Sequence, residues 1–121
     1  VPLDSDPPEL GQQLNAIKTI LYSNSALLQN KVGQYGDAAD NATKALETEG
    51  IADKDKAKAL FRRAQAKVGK KNEEEALEDL EEAKKLAPGD AGIVKELEGI
   101  KKKIKDRREK EKKAYKNAFN F

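Results

Sequence analysis

Lys58 and Arg62 stand four residues apart, a spacing that in a helix puts both side chains on one face, one turn apart. The two cations are not equivalent. Lys offers a compact point charge, and Arg a planar fork that matches the two oxygens of a carboxylate. Such a pair is suited to holding an anion rather than to transforming one. The chain contains no Cys, His, Met or Trp. That excludes a disulfide framework, a Cys/His zinc site, and Ser-His-Asp, Cys-His or other His-based catalytic sets. Binding without catalysis, cofactor or metal is therefore the expectation. Taken alone, a Lys–Arg pair at this spacing is usually a solvated face. It gains meaning only from what the fold places opposite it.

The elements that must position these residues are helices. Of 121 residues, 38% are charged, 37% hydrophobic and 5% aromatic. Ala, Leu, Lys, Glu and Gln dominate, all strong helix formers, so the fold class expected is all-α. The sequence also repeats itself. Ala26, Ala38 and Ala45 recur 38 residues later as Ala64, Ala76 and Ala83, with internal spacings of 12 and 7 kept in both sets. Each set spans a helix, a break and a second helix. The breaks fall near Val32-Gly33-Gln34 and at Gly69-Lys70-Lys71, and the units close near Gly50 and at Ala87-Pro88-Gly89. Small residues have a mechanical reason here, because antiparallel helices cross closely only where neither presents bulk.

The flanks extend this core. A Pro/Asp-rich opening, Val1 through Pro8, leads into a helix expected from about Pro8 to Val32, with Glu9 placed to favour its N-terminal dipole. Asp90 can cap a last helix. Its apolar stripe, Ile93, Leu97, Ile100 and Ile104, can cover the open face of the last helix pair. Beyond Ile104 the chain turns polar, and a solvated helix with mixed-sign i,i+4 pairs is expected. Val1 opens the chain without an initiator Met, so a fragment is expected. No apolar run is long enough to span a membrane, and the lack of Cys fits a reducing, cytoplasmic setting.

Small–12–small–7–small, followed by Pro88 five residues after Ala83, resembles the tetratricopeptide repeat. The resemblance implies a right-handed α-solenoid. One repeat would run over 19–52 and a second over 57–90, with 1–18 as linker and helix start and 91–121 as a long C-terminal capping helix and basic tail. The family's usual Trp is replaced by Tyr22 and Leu60, and its usual turn Tyr is kept as Tyr35 but becomes Glu73.

In this family, positions 2 and 6 of each first helix face a peptide-binding groove. That rule assigns Asn24, Lys58 and Arg62 to it, matching three of the five positions of a dicarboxylate clamp. Such clamps hold the C-terminal Glu-Glu-Val-Asp of heat-shock protein 90 or its seventy-kilodalton counterpart. The other two positions, a Lys and an Asn, would come from a preceding repeat, so the clamp is partial in this chain. Leu27, Phe61 and Gln65 are expected as further groove lining.

The stretches Lys58-Ala-Leu-Phe-Arg-Arg-Ala-Gln65 and Lys85-Leu-Ala-Pro-Gly-Asp90 resemble the last repeat of the large immunophilins, nearer the cyclophilin type than the FKBP type. The closing Lys110–Phe119 resembles that family's tail. The resemblance implies a co-chaperone in which prolyl isomerisation would belong to an upstream domain.

Charge is divided unevenly. Residues 1–100 carry 14 Lys and Arg against 19 Asp and Glu, a net of −5, and residues 101–121 carry 10 against 3, a net of +7. A basic tail can bind calmodulin, nucleic acid or an acidic membrane. Between Lys105 and Lys113 there are no bulky apolar anchors and no interleaved aromatics, so nucleic acid and membrane are not expected. Calmodulin enters through the family resemblance only. A rival to the interaction module is a self-associating assembly element, because two repeats fall short of the roughly three a solenoid usually needs.

Overall fold

The computed structural model describes residues 8–119, all helix and short connections. Five helices follow in order: α1 (Pro8–Lys31), α2 (Tyr35–Leu46), α3 (Asp53–Gly69), α4 (Glu73–Leu86) and α5 (Ala91–Ala118). Short connections make successive helices antiparallel. Each packs on the next, and α1 also lies against α3. The helices α1 and α3 thus form one layer and α2 and α4 the other, the two-layer stack of a tetratricopeptide-type solenoid. The expected first helix, from about Pro8 to Val32, is present as Pro8–Lys31. The opening residues before Pro8, and Phe121 at the other end, lie outside the described residues.

Local sequence explains the helix ends. The helix α4 opens with Glu73, Glu74 and Glu75 and closes with Lys84 and Lys85, charges that oppose its dipole at both ends. Asp90 caps α5, its Oδ1 accepting from the Ile93 N–H at 3.1 Å. The turns within the two helix pairs are the same turn. Gly33 (φ 80°) and Lys71 (φ 64°), 38 residues apart, both take the left-handed conformation. Around each, the next residue's N–H reaches back five residues, Gln34 to Gln29 and Asn72 to Lys67, both at 2.8 Å. A second bond, spanning three residues, runs from the Gly33 N–H to Asn30 at 3.2 Å and from the Lys71 N–H to Val68 at 2.9 Å. Both are Schellman motifs, which satisfy the last carbonyls of α1 and α3.

All six repeated alanines, Ala26, Ala38, Ala45, Ala64, Ala76 and Ala83, are fully buried. They are where the helices cross. The stripe of α5 closes the stack. Leu97, Ile100 and Ile104 pack on Ala64, Ala76 and Leu80, and Ile93 packs on Ala57, Leu60 and Ala83. Each of these four side chains removes roughly 1.5–3 kcal/mol worth of apolar surface from water. Beyond Ile104, every residue of α5 but Arg107 is exposed. Arg107 reaches back to Glu73 and Glu74, at 2.5 Å each, and so ties the projecting helix to the start of α4.

One polar network crosses the core. Asp79, nearly buried, takes a bidentate pair from Arg63 at 2.9 and 2.8 Å and a third contact from Lys67 at 2.9 Å. Arg63 also donates to Thr43 Oγ1 at 3.4 Å, so α2, α3 and α4 meet at one guanidinium.

Candidate functional site

The helix α3 carries Lys54, Lys58 and Arg62 at successive four-residue steps, so all three side chains share a face. Opposite them, α1 presents Ile20 and Asn24. A cleft of about 480 Å³ lies between, with Phe61 on its wall and Ile93 of α5 and its capping residue Asp90 closing it. Asn24, Lys58, Phe61 and Arg62, four of the six residues picked out from the sequence, line this one cleft. Leu27 and Gln65 line a neighbouring cleft of about 330 Å³, with Asn30, Tyr35 and Val68. Arg62 joins the two, because its Nη1 donates to Gln65 Oε1 at 3.3 Å.

The electrostatics of Arg62 differ from those of every other arginine in the core. No carboxylate among the described residues lies within 4 Å of it, and its Nε is buried without a hydrogen-bond partner. Burial alone pushes its guanidinium below the ordinary value. Its Cζ sits 5.6 Å from the centre of the adjacent Phe61 ring. The carbonyl of Arg62 accepts from Asn30 Nδ2 at 3.0 Å, which pins this turn of α3 to α1. The neighbouring Arg63 shows the opposite behaviour. Its hydrogen bond to Asp79 outweighs burial and raises its value. Arg62 is therefore a partly desolvated cation with unused donors, the state in which an incoming carboxylate gains most.

Lys58 is exposed one turn away and free of ion pairs among the described residues. Asn24, also exposed, adds an amide donor from the facing helix. Together they offer a compact charge, a planar fork and a neutral donor, a set fit for a group with two carboxylates. Asp55 and Asp90 also line the cleft, so its field is mixed rather than uniformly positive. A ligand must place its charges at the Lys58–Arg62 end. No cluster of three or more acidic side chains that could hold a metal occurs among the described residues.

As cleft residues, Ile20, Lys54, Asp90 and Ile93 were not picked out from the sequence, which gave Asp90 and Ile93 only a capping and a packing role. Two of these carried a signal. Ile20 stands 38 residues before Lys58, at the matching repeat position, and Lys54 is one turn before Lys58 on the same face. Asp90 and Ile93 could be placed only by the path of α5.

No family model matches the chain. Curated relatives do. The chain is 37% identical over 123 residues to peptidyl-prolyl cis-trans isomerase D of Cryptococcus neoformans, covering 98% of this chain and 32% of that protein. It is 38% identical over 114 residues to the protein of that name from Kluyveromyces lactis, covering 94% of this chain and 31% of that protein. The chain thus spans about a third of the length of these relatives. Among solved structures, it resembles the myosin chaperone UNC-45 from C. elegans in complex with an Hsp90 peptide. The TM-score is 0.64 at 39% identity, over 73% of this chain and 9% of that one. A second structure of the UNC-45 chaperone gives 0.66 at 35% identity, over 78% of this chain and 10% of that one.

Proposed function

We propose that the chain is the tetratricopeptide region of a large immunophilin of the peptidyl-prolyl isomerase D type, and that it acts as a co-chaperone's peptide-docking module. Its ligand is the acidic C-terminus of heat-shock protein 90, Glu-Glu-Val-Asp, or the related end of the seventy-kilodalton chaperone. Lys58 and Arg62 hold the two carboxylates of the terminal Asp, and Asn24 donates to the main-chain end. Phe61 and Ile20 supply apolar wall for the Val, while Leu27 and Gln65 meet residues further upstream. The repeat units are 19–52 and 57–90, and the cytoplasm is where such a chaperone would be met. Prolyl isomerisation belongs to sequence outside these 121 residues.

The observation that carries this reading is Arg62, half-buried beside Lys58 and Asn24 with a donor that nothing among the described residues satisfies. Support also comes from the UNC-45 relative, which was solved with an Hsp90 peptide. Calorimetric titration of a Glu-Glu-Val-Asp peptide tests it. Lys58→Ala and Arg62→Ala should each weaken binding at least tenfold, about 1.4 kcal/mol or more. Equal affinity for all three proteins would sink the assignment.

A second reading, self-association, is favoured by the outer face of α1. Leu10, Leu14, Ile17, Leu21 and Leu28 are 42–62% exposed along it, and Val32 just past its end is 70% exposed. A stripe this long is the kind that pairs with another apolar surface. Light scattering across a concentration series decides: a monomer throughout removes this reading, and a dimer abolished by Leu14→Glu with Leu21→Glu establishes it.

A further inference from the structure

A second groove, sharing no lining residue with the cleft, runs between α4 and α5. Its floor is apolar, Leu77 from α4 and Ile104 from α5, and the open groove has a volume of about 340 Å³. Its rim is cationic, formed by Lys101, Lys105, Arg108 and Lys112, with Glu109 as the acid among the lining residues. These four cations follow one another at steps of 4, 3 and 4, so they form a single stripe along α5. The next two steps, 3 and 4, reach Tyr115 and Phe119. Those rings lie 4.8 Å apart, and both residues are about two-thirds exposed. The stripe is therefore cationic over its first half and aromatic at its end.

The cations are largely unspent. Lys101 approaches Glu81 only at 3.9 Å, and Lys105, Arg108 and Lys112 have no ion pair among the described residues. One residue away, Arg107 is held by Glu73 and Glu74. That contact fixes the direction in which α5 leaves the body, and with it the shape of the groove. The apolar floor is the element the sequence hid. The tail itself has no bulky anchor between Lys105 and Lys113, but Leu77 comes from another helix.

We propose that the α4–α5 groove and the Tyr115–Phe119 pair form a second docking surface, for an acidic amphipathic helix of a partner protein. Apolar side chains at i, i+4 enter the floor over Leu77 and Ile104, and Asp or Glu on the flanks pair with the rim. A membrane fits less well, because a flat lipid surface meets the rim and leaves the recessed floor unfilled. Nucleic acid fits less well too. No aromatic lies within the groove to stack a base, and a phosphate backbone has no use for an apolar floor. The proposal does not depend on the Asn24–Lys58–Arg62 cleft.

The test uses the full 121-residue chain and a labelled 18-residue peptide of Glu and Leu, with Leu at i, i+3, i+4 and i+7 spacing. Anisotropy is read in 50 mM NaCl, where exposed charges are weakly screened. Saturable binding is expected, at least tenfold weaker for the exposed double variant Lys105→Glu with Arg108→Glu. A peptide with Ser for each Leu should bind at least fivefold more weakly. A Glu-Glu-Val-Asp peptide should bind both proteins equally, which separates this surface from the cleft. Three results would each overturn the proposal: undiminished binding by the double variant, equal binding of the Ser peptide, or binding to phosphatidylserine vesicles with none to the Glu/Leu peptide.

Discussion

Arg62 and Arg63 are adjacent in sequence and opposite in fate. Arg63 turns inward, where Asp79 takes both arms of its fork and Lys67 adds a second cation to the same carboxylate. Arg62 turns to the cleft and makes no ion pair among the described residues, and its Nε is left without a hydrogen-bond partner there. Removing Asp79 would leave two cations near the core uncompensated. Asp79→Asn should cost about 3 kcal/mol, the lower end for a broken buried pair. The lower end applies because Arg63 and Lys67 keep 24% and 21% of their side-chain surface in water. A thermal melt should show a fall on the order of 10 °C. The pH dependence follows from the direction of the Arg63 shift. A cation whose value is raised on folding stabilises fully below its unfolded value and loses that only as pH rises through the folded one. Arg63 should therefore contribute no slope to stability between neutral and mildly alkaline pH. Part of this was legible in the sequence. The repeat register put Arg62, and not Arg63, toward the groove. The partner of Arg63 was not legible, because Asp79 reads as one more acid in Glu78-Asp79-Leu80 until α3 and α4 are packed together.

At the scale of elements, the two helix pairs share a turn but not its chemistry. Gly33 adopts the left-handed conformation at little cost, whereas Lys71 adopts it against the clash of its own Cβ. Lys71→Gly should therefore leave stability unchanged or raise it by up to about 1 kcal/mol, and Gly33→Ala should lower it by about 1 kcal/mol. Urea melts of the two variants check both signs, and a Lys71→Gly that destabilises would show the turn to be held differently. The break at Gly69-Lys70-Lys71 was readable from sequence, but the job of its glycine was not. Gly69 is still helical, and a Cβ there would sit 2.5 Å from the Tyr35 ring. It is the seat for that ring, while the turn itself falls on Lys71. Periodicity marks where a helix stops, and only tertiary packing shows which residue takes the strain. The α5 stripe was legible for the complementary reason: a four-residue apolar pattern at 4, 3 and 4 can be buried in only one way.

Over the whole molecule, the charge split has a spatial meaning. The basic surplus of residues 101–118 lies along a helix that leaves the body at Arg107, and the acidic surplus of residues 8–100 lies on the body it leaves. The cationic cleft is an exception within that acidic body, built by aligning three cations of α3 against Asn24 of α1. Its composition was readable because the repeat fixes which helical face looks inward. Its closure by Asp90 and Ile93 was not, since that depends on the angle at which α5 crosses the last pair. The face of α1 and the groove beside α5 were likewise invisible to one-dimensional patterning, because exposure is a property of the assembled stack. The proposed docking function requires the cleft to recognise two carboxylates on one residue. Titrating the chain with Glu-Glu-Val-Asp as the free acid and as its C-terminal amide isolates that claim, because only the main-chain carboxylate differs. Amidation should weaken binding at least tenfold, and equal affinity for the two peptides would contradict recognition of two carboxylates.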